Sequence, residues 1–323
     1  MLRSLLLLLV LLLCPEGLRA ANYITLDVPS ATCTSASKIN NRGQIVGWYC
    51  DGTDGIRSFL WQKEKFVTLT AVPGTLNSAA GINNDGDIVG SYIDNNGIAH
   101  GYLLKNGFLA SIEFPGAIET SATDISDDGQ IVGTYVDIDG TLHGFLLADG
   151  GFTSVEIPNA NYSQALGIDR TGRIVGLYVD NELLGHGFIW EQGVITTIDH
   201  PDASFNTALY DINSRDDIVG FHDGQGGHSF ALHQGKFRTL KFPSFLQDAR
   251  VIGLNDKGQM VGDYFDENGK FHGFLMRRPK YVRDSLPDAV GVTREWSKQT
   301  YPEHDIRPEI LNKRPWFLEI PGL

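Results

Sequence analysis

Two stretches 43 residues apart, GDIVGSYIDNNGIAHGYLL (residues 86–104) and GQIVGTYVDIDGTLHGFLL (residues 129–147), are versions of one pattern. The glycine that closes the IVG triplet recurs at Gly47, Gly90, Gly133, Gly176, Gly220 and Gly262, a period of about 43 residues. A proline keeps the same beat at Pro29, Pro73, Pro115, Pro158, Pro201 and Pro243, marking the exit from one strand of every unit. Such a repeat overrides chain length as a guide to domain count.

Within the second unit the turn chemistry is dense. Residues 79–83 read as a short strand, followed by the turn Asn84-Asp85-Gly86 and a second strand over 87–93 rich in β-branched and aromatic residues. The turn Asp94-Asn95-Asn96-Gly97 leads to a third strand over 99–104, and Lys105-Asn106-Gly107 to a fourth over 108–114. Gly and Asn accept the positive φ that tight hairpins require, so each unit is predicted to be a four-stranded antiparallel meander. Strands apolar on both faces cannot bury themselves singly, and four strands in 40 to 45 residues is the blade of an all-β propeller, with an open stack of sheets as the rival. Residues 23–28, ending before Pro29, form a fourth strand that lacks its first three, and in a ring that strand completes the last blade and removes an open edge. Residues 280–286 and Pro287 continue the fourth-strand series, and Phe317-Leu318 falls 43 residues after Phe274-Leu275. The domains expected are therefore a leader over 1–20, propeller repeats over 21–278, and a degenerate seventh blade closed by the N-terminal strand over 279–323. A six-blade ring with a C-terminal extension is the alternative.

The units ending in HGYLL, HGFLL, HGFIW, HSFAL and HGFLM, each preceded by an INN-like turn and IVG, resemble the HAF-type extracellular repeat of secreted bacterial proteins. The resemblance runs over about residues 23–276 and implies export and a β-propeller-like fold. It carries over no activity, substrate or catalytic residue. The first unit departs from the pattern, with Arg57-Ser58-Phe59 at the triplet.

The N-terminus itself reads as a secretory signal peptide: one cation at Arg3, an apolar run over residues 5–13, and small residues around Ala20, after which cleavage is expected. The run is shorter than the roughly 20 residues of a membrane span. Cys14 is preceded by Leu13 where a lipoprotein signal would place a small residue. The formal charge is −13, and becomes −14 without the leader, which carries Arg3, Arg19 and Glu16. A body this acidic repels nucleic acid and anionic membrane. An oxidising compartment favours a bridge between the two remaining cysteines, Cys33 and Cys50, which fall opposite one another if residues 35–40 and 44–49 pair around Asn41-Arg42.

His100, His143, His186, His228 and His272 recur once per unit at the start of the third strand, too far apart around a ring to ligate one metal; they are expected to bond backbone near the blade edge. The Asp-rich turns after the second strands suit weak Ca²⁺ binding, but Asp and Asn also favour such turns by bonding local backbone, and no cofactor is otherwise expected. The connections between each proline and the next first strand diverge while the frame repeats, which puts recognition there. Their candidate ligand-binding residues are Asn77, Glu119, Tyr162, Gln164, Phe205, Asn206, Phe245 and Asp248, a set of aromatics, amides and carboxylates suited to an extracellular glycan or a protein or peptide ligand. The molecule is expected to be a monomer. The alternative is a carbohydrate-active hydrolase or lyase using carboxylates such as Glu119 and Asp248, although no nucleophile elbow, HExxH, phosphate loop or dinucleotide fingerprint is present.

Overall fold

The triplet Ile88-Val89-Gly90 shows how a unit is built. Successive side chains of a strand face opposite sides, so Ile88 packs in one hydrophobic layer with Tyr102 while Val89 packs in the next with Phe145. Gly90 makes room between them: a Cβ there would lie 2.0 Å from the Ser78 carbonyl oxygen and 2.9 Å from the Tyr102 hydroxyl. Phe59, Phe145, Phe188, Phe230 and Phe274 occupy the place of Tyr102 in the other units, and each is fully buried. The three letters of the motif therefore serve the blade behind, the blade ahead and the ring of the neighbouring strand.

The computed structural model describes residues 23–279 except 54, 75, 225, 226 and 278. The leader and residues 280–323 lie outside the described residues. Strand β1 (Tyr23–Leu26) precedes blade one, which comprises β2 (Cys33–Ile39), β3 (Ile45–Cys50), β4 (Ile56–Gln62) and β5 (Lys65–Thr68). Blade two is β6 (Leu76–Ile82), β7 (Ile88–Ile93), β8 (Ala99–Lys105) and β9 (Phe108–Ile112). Blade three is β10 (Glu119–Ile125), β11 (Ile131–Val136), β12 (Leu142–Ala148) and β13 (Gly151–Val155), and blade four is β14 (Ala160–Ile168), β15 (Ile174–Asp180), β16 (Gly185–Glu191) and β17 (Val194–Ile198). Blade five is β18 (Thr207–Ile212), β19 (Asp217–His222), β20 (His228–His233) and β21 (Lys236–Thr239). Blade six is β22 (Gln247–Leu254), β23 (Met260–Phe265) and β24 (Phe271–Met276), and its fourth strand is β1. Every pairing within a blade is antiparallel, and six hydrophobic layers separate six blades: the fold is an all-β propeller.

Closure falls at six blades, which corrects the seventh. Strand β1 pairs directly with β24, Tyr23 opposite Met276 and Leu26 opposite Gly273, so no sheet stands between them. It supplies what the fourth strand supplies elsewhere. Thr25 bonds the Tyr264 hydroxyl at 2.9 Å as Ser154 bonds Tyr135 in blade three, and Asp27 bonds His272 at 2.8 Å as Glu113 bonds His100 in blade two. Leu26 completes the layer shared with blade one, alongside Ala36, Phe59, Val261 and Leu275.

Cys33 and Cys50 form a disulfide with their Cα atoms 5.0 Å apart, directly opposite in β2 and β3. The expected register holds from Cys33 to Ala36 and then shifts by one residue at a bulge before Lys38. Because closure rests on one short strand, we expect Leu26→Ala to destabilise the protein by about 3 kcal/mol, in the range for buried leucines. Denaturant unfolding with the disulfide intact measures this, and an unchanged midpoint would show that the ring does not depend on β1.

Candidate functional site

The first strand of each blade lines the axis, and each carries a bulge two-thirds along its length. The residue after the bulge alternates around the ring: Lys38, Gly81, Asp124, Gly167, Asp211 and Gly253. Lys38 Nζ donates to Asp124 Oδ2 at 2.6 Å and to Asp211 Oδ1, joining blades one, three and five across the axis. Asp124 also accepts from the N–H groups of Ile125 and Ile168, and Asp211 from those of Ile212 and Leu254. Burial alone would lower the Lys38 ammonium, but the two carboxylates outweigh it and hold it above its ordinary value. Burial pushes both carboxyls up against the pull of that single ammonium. The alternating glycines allow the approach: a Cβ on Gly81 would lie 2.7 Å from the Asp124 Cα.

At this end of the axis the plug floors an open depression of about 440 Å³, walled by Asn41, Asn84, Asp127, Arg170, Ser214 and Asp256. Most of its polar groups are engaged with one another. The Asn40 amide donates to the Asn83 carbonyl at 2.9 Å, Asn83 to Ser126 at 3.4 Å, Asn213 to Asn255 at 3.2 Å and Asn255 to Asn40 at 3.0 Å, the last closing the circle. Where blade four carries Asp169 instead, Arg173 bridges Asp169 to Asp216 of blade five. This mouth is a structural girdle.

The opposite mouth carries the connections between blades and the six turns headed by Asp51, Asp94, Asp137, Asp180, Asp223 and Asp266, again 43 residues apart. In five of these turns Oδ1 caps the backbone; Asp94 accepts from Asn96 at 2.8 Å and from Ile98 at 3.0 Å. Such bonds hold the carboxyls of Asp94, Asp137 and Asp266 below their usual range. The other oxygen meets the repeat histidine. His143 Nε2 lies 2.9 Å from Asp137, and His186 lies between Asp199 at 3.0 Å and Asp180 at 3.3 Å. Each of these rings also stacks on the tyrosine opposite it, as Tyr92 on His100, Tyr135 on His143, Tyr178 on His186 and Tyr264 on His272. His100, His143, His186 and His272 thus bond carboxylates rather than backbone, which corrects the expectation for these four. Bonds to Asp199 and Asp180 raise the His186 imidazole, and bonds to Glu113 and Asp94 outweigh burial to raise His100.

Of the residues singled out from sequence, Glu119 and Tyr162 are half-buried at the same point of successive first strands, while Asn206 and Asp248 are exposed at the corresponding points of blades five and six. Phe205 and Phe245 stand out on loops, 53% and 57% exposed. Asp223 fixes the first of these loops by accepting from the N–H groups of Ser204 and Phe205. Asn77 and Gln164 are buried. Asn77 accepts from the Ser58 N–H and hydroxyl, both at 2.8 Å, and donates to the Gly74 carbonyl, so it ties blade one to blade two. Burial raises the Glu119 carboxyl, with His100 opposing. The face thus gathers Glu119, Tyr162, Phe205, Asn206, Phe245 and Asp248, and places Asn77 and Gln164 inside. Sequence reasoning missed Lys38, Asp124 and Asp211, whose signal lies only in the column read across aligned units.

Blade five departs from the pattern. The residue before the strand-exit proline stacks on the second-strand aromatic of the next blade: Phe114 on Tyr135 at 3.7 Å, replaced at the next such joint but one by His200 on His222 at 3.8 Å with the rings parallel. Both histidines are buried. Nδ1 of His200 accepts from the Asp202 N–H and Nδ1 of His222 from the Gly224 N–H, so both rings are neutral with the proton on Nε2. Burial lowers His200 to about 4, and burial together with His228 lowers His222. Among the described residues Nε2 of His200 is buried without a hydrogen-bond partner.

No family model and no curated relative matches the sequence. Solved structures similar in fold include the SapL1 lectin in complex with α-methyl fucoside, with a TM-score of 0.54, 12% identity, and coverage of 80% of this chain and 97% of that one. TolB from Acinetobacter baumannii gives 0.51 at 13% identity over 78% of this chain, which spans 64% of the TolB chain. The lectin of Aleuria aurantia, described as a six-bladed β-propeller, gives 0.48 at 11% identity over 84% of this chain and 100% of that one. At these identities the likeness is one of fold.

Two outcomes follow from the buried polar groups. Lys38→Met leaves two buried carboxylates without their cation and is expected to cost about 3 to 5 kcal/mol near neutral pH; unfolding of Lys38→Met beside Lys38→Met/Asp124→Asn/Asp211→Asn tests this, since the triple variant should recover most of the loss. The stacked histidines have folded pKa values below their unfolded ones. Their contribution is therefore complete above about pH 6.5 and is lost as pH falls toward 4, by on the order of 2 to 3 kcal/mol. His100 and His186, raised by carboxylates, act in the opposite sense. The double variant His200→Phe/His222→Tyr, which restores the blade-three pair, should flatten the acid loss relative to wild type in melting curves from pH 7 to 4.

Proposed function

We propose that the protein is an exported binding module that takes an extracellular ligand, a glycan or a peptide, on its loop face. The observation that carries this reading is the contrast between a frame repeated to the residue and loops that differ in every blade, two of them presenting Phe205 and Phe245 to solvent. The leader, the Cys33–Cys50 bridge and the resemblance to HAF-type repeats support export. The propeller suits the task because its connections gather at one end of the axis while the girdle holds the other end rigid. One observation favours a second reading: Glu119 and Asp248 occupy corresponding points of blades three and six, across the ring from each other, and burial raises the Glu119 carboxyl as an acid catalyst requires.

Glycan and peptide arrays probed with the full protein test the proposal. Phe205→Ala and Tyr162→Ala are expected to lower the bound signal at least about tenfold, as anchors of a binding face do, while Arg170→Ala on the girdle leaves it unchanged. Signal that survives both loop variants would overturn the assignment of the face. Turnover of a bound glycan, lost in Glu119→Gln while binding persists, would favour the enzyme reading.

A further inference from the structure

We infer that the loop face docks a basic polypeptide segment through aliphatic side chains. The inference rests on the reading of that face as the binding face and goes further by naming the chemistry of the partner.

Five of the nine exposed large hydrophobic side chains among the described residues stand there, and the other four, Val67, Phe108, Leu109 and Val194, lie on outer strands. Ile118 stands on the connection leading into blade three, Ile138 at the tip of that blade's turn, and Leu183 on the turn of blade four. Phe205 and Phe245 follow on the connections into blades five and six. Four consecutive blades thus raise an apolar group on one face, and Ile138 is 83% exposed. Three of the five are aliphatic. Sugars are held by flat rings and fixed polar groups; Tyr162, Phe205 and Phe245 offer rings on this face, whereas Tyr92, Tyr135, Tyr178 and Tyr264 are covered by the repeat histidines. Isoleucine and leucine suit hydrophobic side chains of a polypeptide.

Charge selects among polypeptides. An aspartate heads the turn of every blade on this face; Lys241 and Lys270 lie in its connections, and Arg57 at the start of β4 reaches Asp51 and the Gly74 carbonyl. The turns of the opposite face mix their acids with Arg42, Lys63, Arg170, Arg173, Arg215 and Lys257. Among the described residues the negative charge is therefore concentrated toward the loops. A face of this sign draws in cations, repels anionic glycans and makes association sensitive to salt. The partner that satisfies both features carries lysine or arginine interspersed with aliphatic residues.

The test uses the full protein and three synthetic peptides of one length, alternating Lys and Leu, Lys and Ser, or Glu and Leu, together with an array of neutral glycans. The Lys-Leu peptide is expected to bind and to weaken at least about tenfold between low and high salt, as charge-steered complexes do. The Lys-Ser peptide should bind at least about tenfold more weakly, since the apolar anchors carry much of the affinity, and the Glu-Leu peptide should not bind. Ile138→Ser/Leu183→Ser should weaken the Lys-Leu peptide at least about tenfold, while Val194→Ser on an outer strand should not; unchanged melting curves show that the exposed-site variants remain folded. Lys-Leu binding that ignores the double variant overturns the inference, because attraction is then charge alone. Neutral glycans that bind and are lost on Phe205→Ala, with no Lys-Leu binding, overturn it while leaving the loop face as the binding face. If neither peptides nor glycans bind, both readings fall.

Discussion

The pairing of β1 with β24 is the constraint on which everything else rests. A blade with apolar residues on both faces is stable only between two neighbours, and a linear stack always leaves two blades half covered. Joining the first strand to the last blade removes both ends at once. The substitution is thorough: Thr25, Leu26 and Asp27 reproduce the hydroxyl bond, the buried leucine and the carboxylate that fourth strands contribute elsewhere. Chain segments more than 200 residues apart are thereby hydrogen-bonded into one sheet, which makes the closing layer the slowest to find and the most informative to perturb.

The axis depends on that closure. Lys38, Asp124 and Asp211 occupy alternate blades, with glycine between each pair. An alternation of this kind closes only with an even number of blades; a seventh would set two glycines or two charged residues side by side. One ammonium and four backbone N–H groups answer two carboxylates, so no lone charge is left in the interior. Buried ionic groups add little net stability compared with apolar packing, and their best-attested effect is to fix register. Here the register fixed is that of three blades that do not touch one another in sequence.

Much of this was legible in the chain. The IVG and HGF motifs recur with their glycines in step, and strand period, turn residues and prolines suffice to place four strands per unit and to make the N-terminal strand the closing one. The disulfide followed from hairpin register even though a bulge shifts the lower half of that hairpin. The seven-blade ring was read from length, since residues 23–323 divide evenly by 43, but β1 pairs with β24 itself and so closes the ring at six. The histidines were read from spacing as backbone partners; the carboxylate partners of His100, His143, His186 and His272 come from the turn and from the neighbouring strand, and only the folded blade brings those together. Asn77 and Gln164 looked like recognition residues because they vary between units, yet variation at a joint between blades also reflects packing. The axial column escaped notice because no two of its members are near in sequence.

The two ends of the propeller are constrained in different ways, and this explains why they diverged. At the girdle the amides of Asn40, Asn83, Asn213 and Asn255 each bond the carbonyl of the next blade, so a change in one blade strands a partner in another, and four of the six blades keep the asparagine. At the loop face an aspartate caps its own turn, and Asp223 holds the loop of Phe205 by backbone N–H groups that any residue supplies. Side chains that stand out from these connections, such as Phe205 and Phe245, are free to change without cost to a neighbour. Blade five shows how far that freedom extends, since a stacked pair of neutral histidines fills a joint that phenylalanine and tyrosine fill in blade three with the same ring geometry. Shape is conserved at that joint while chemistry is not, and the same separation of frame from surface is what allows six nearly identical blades to present one face that is not repetitive.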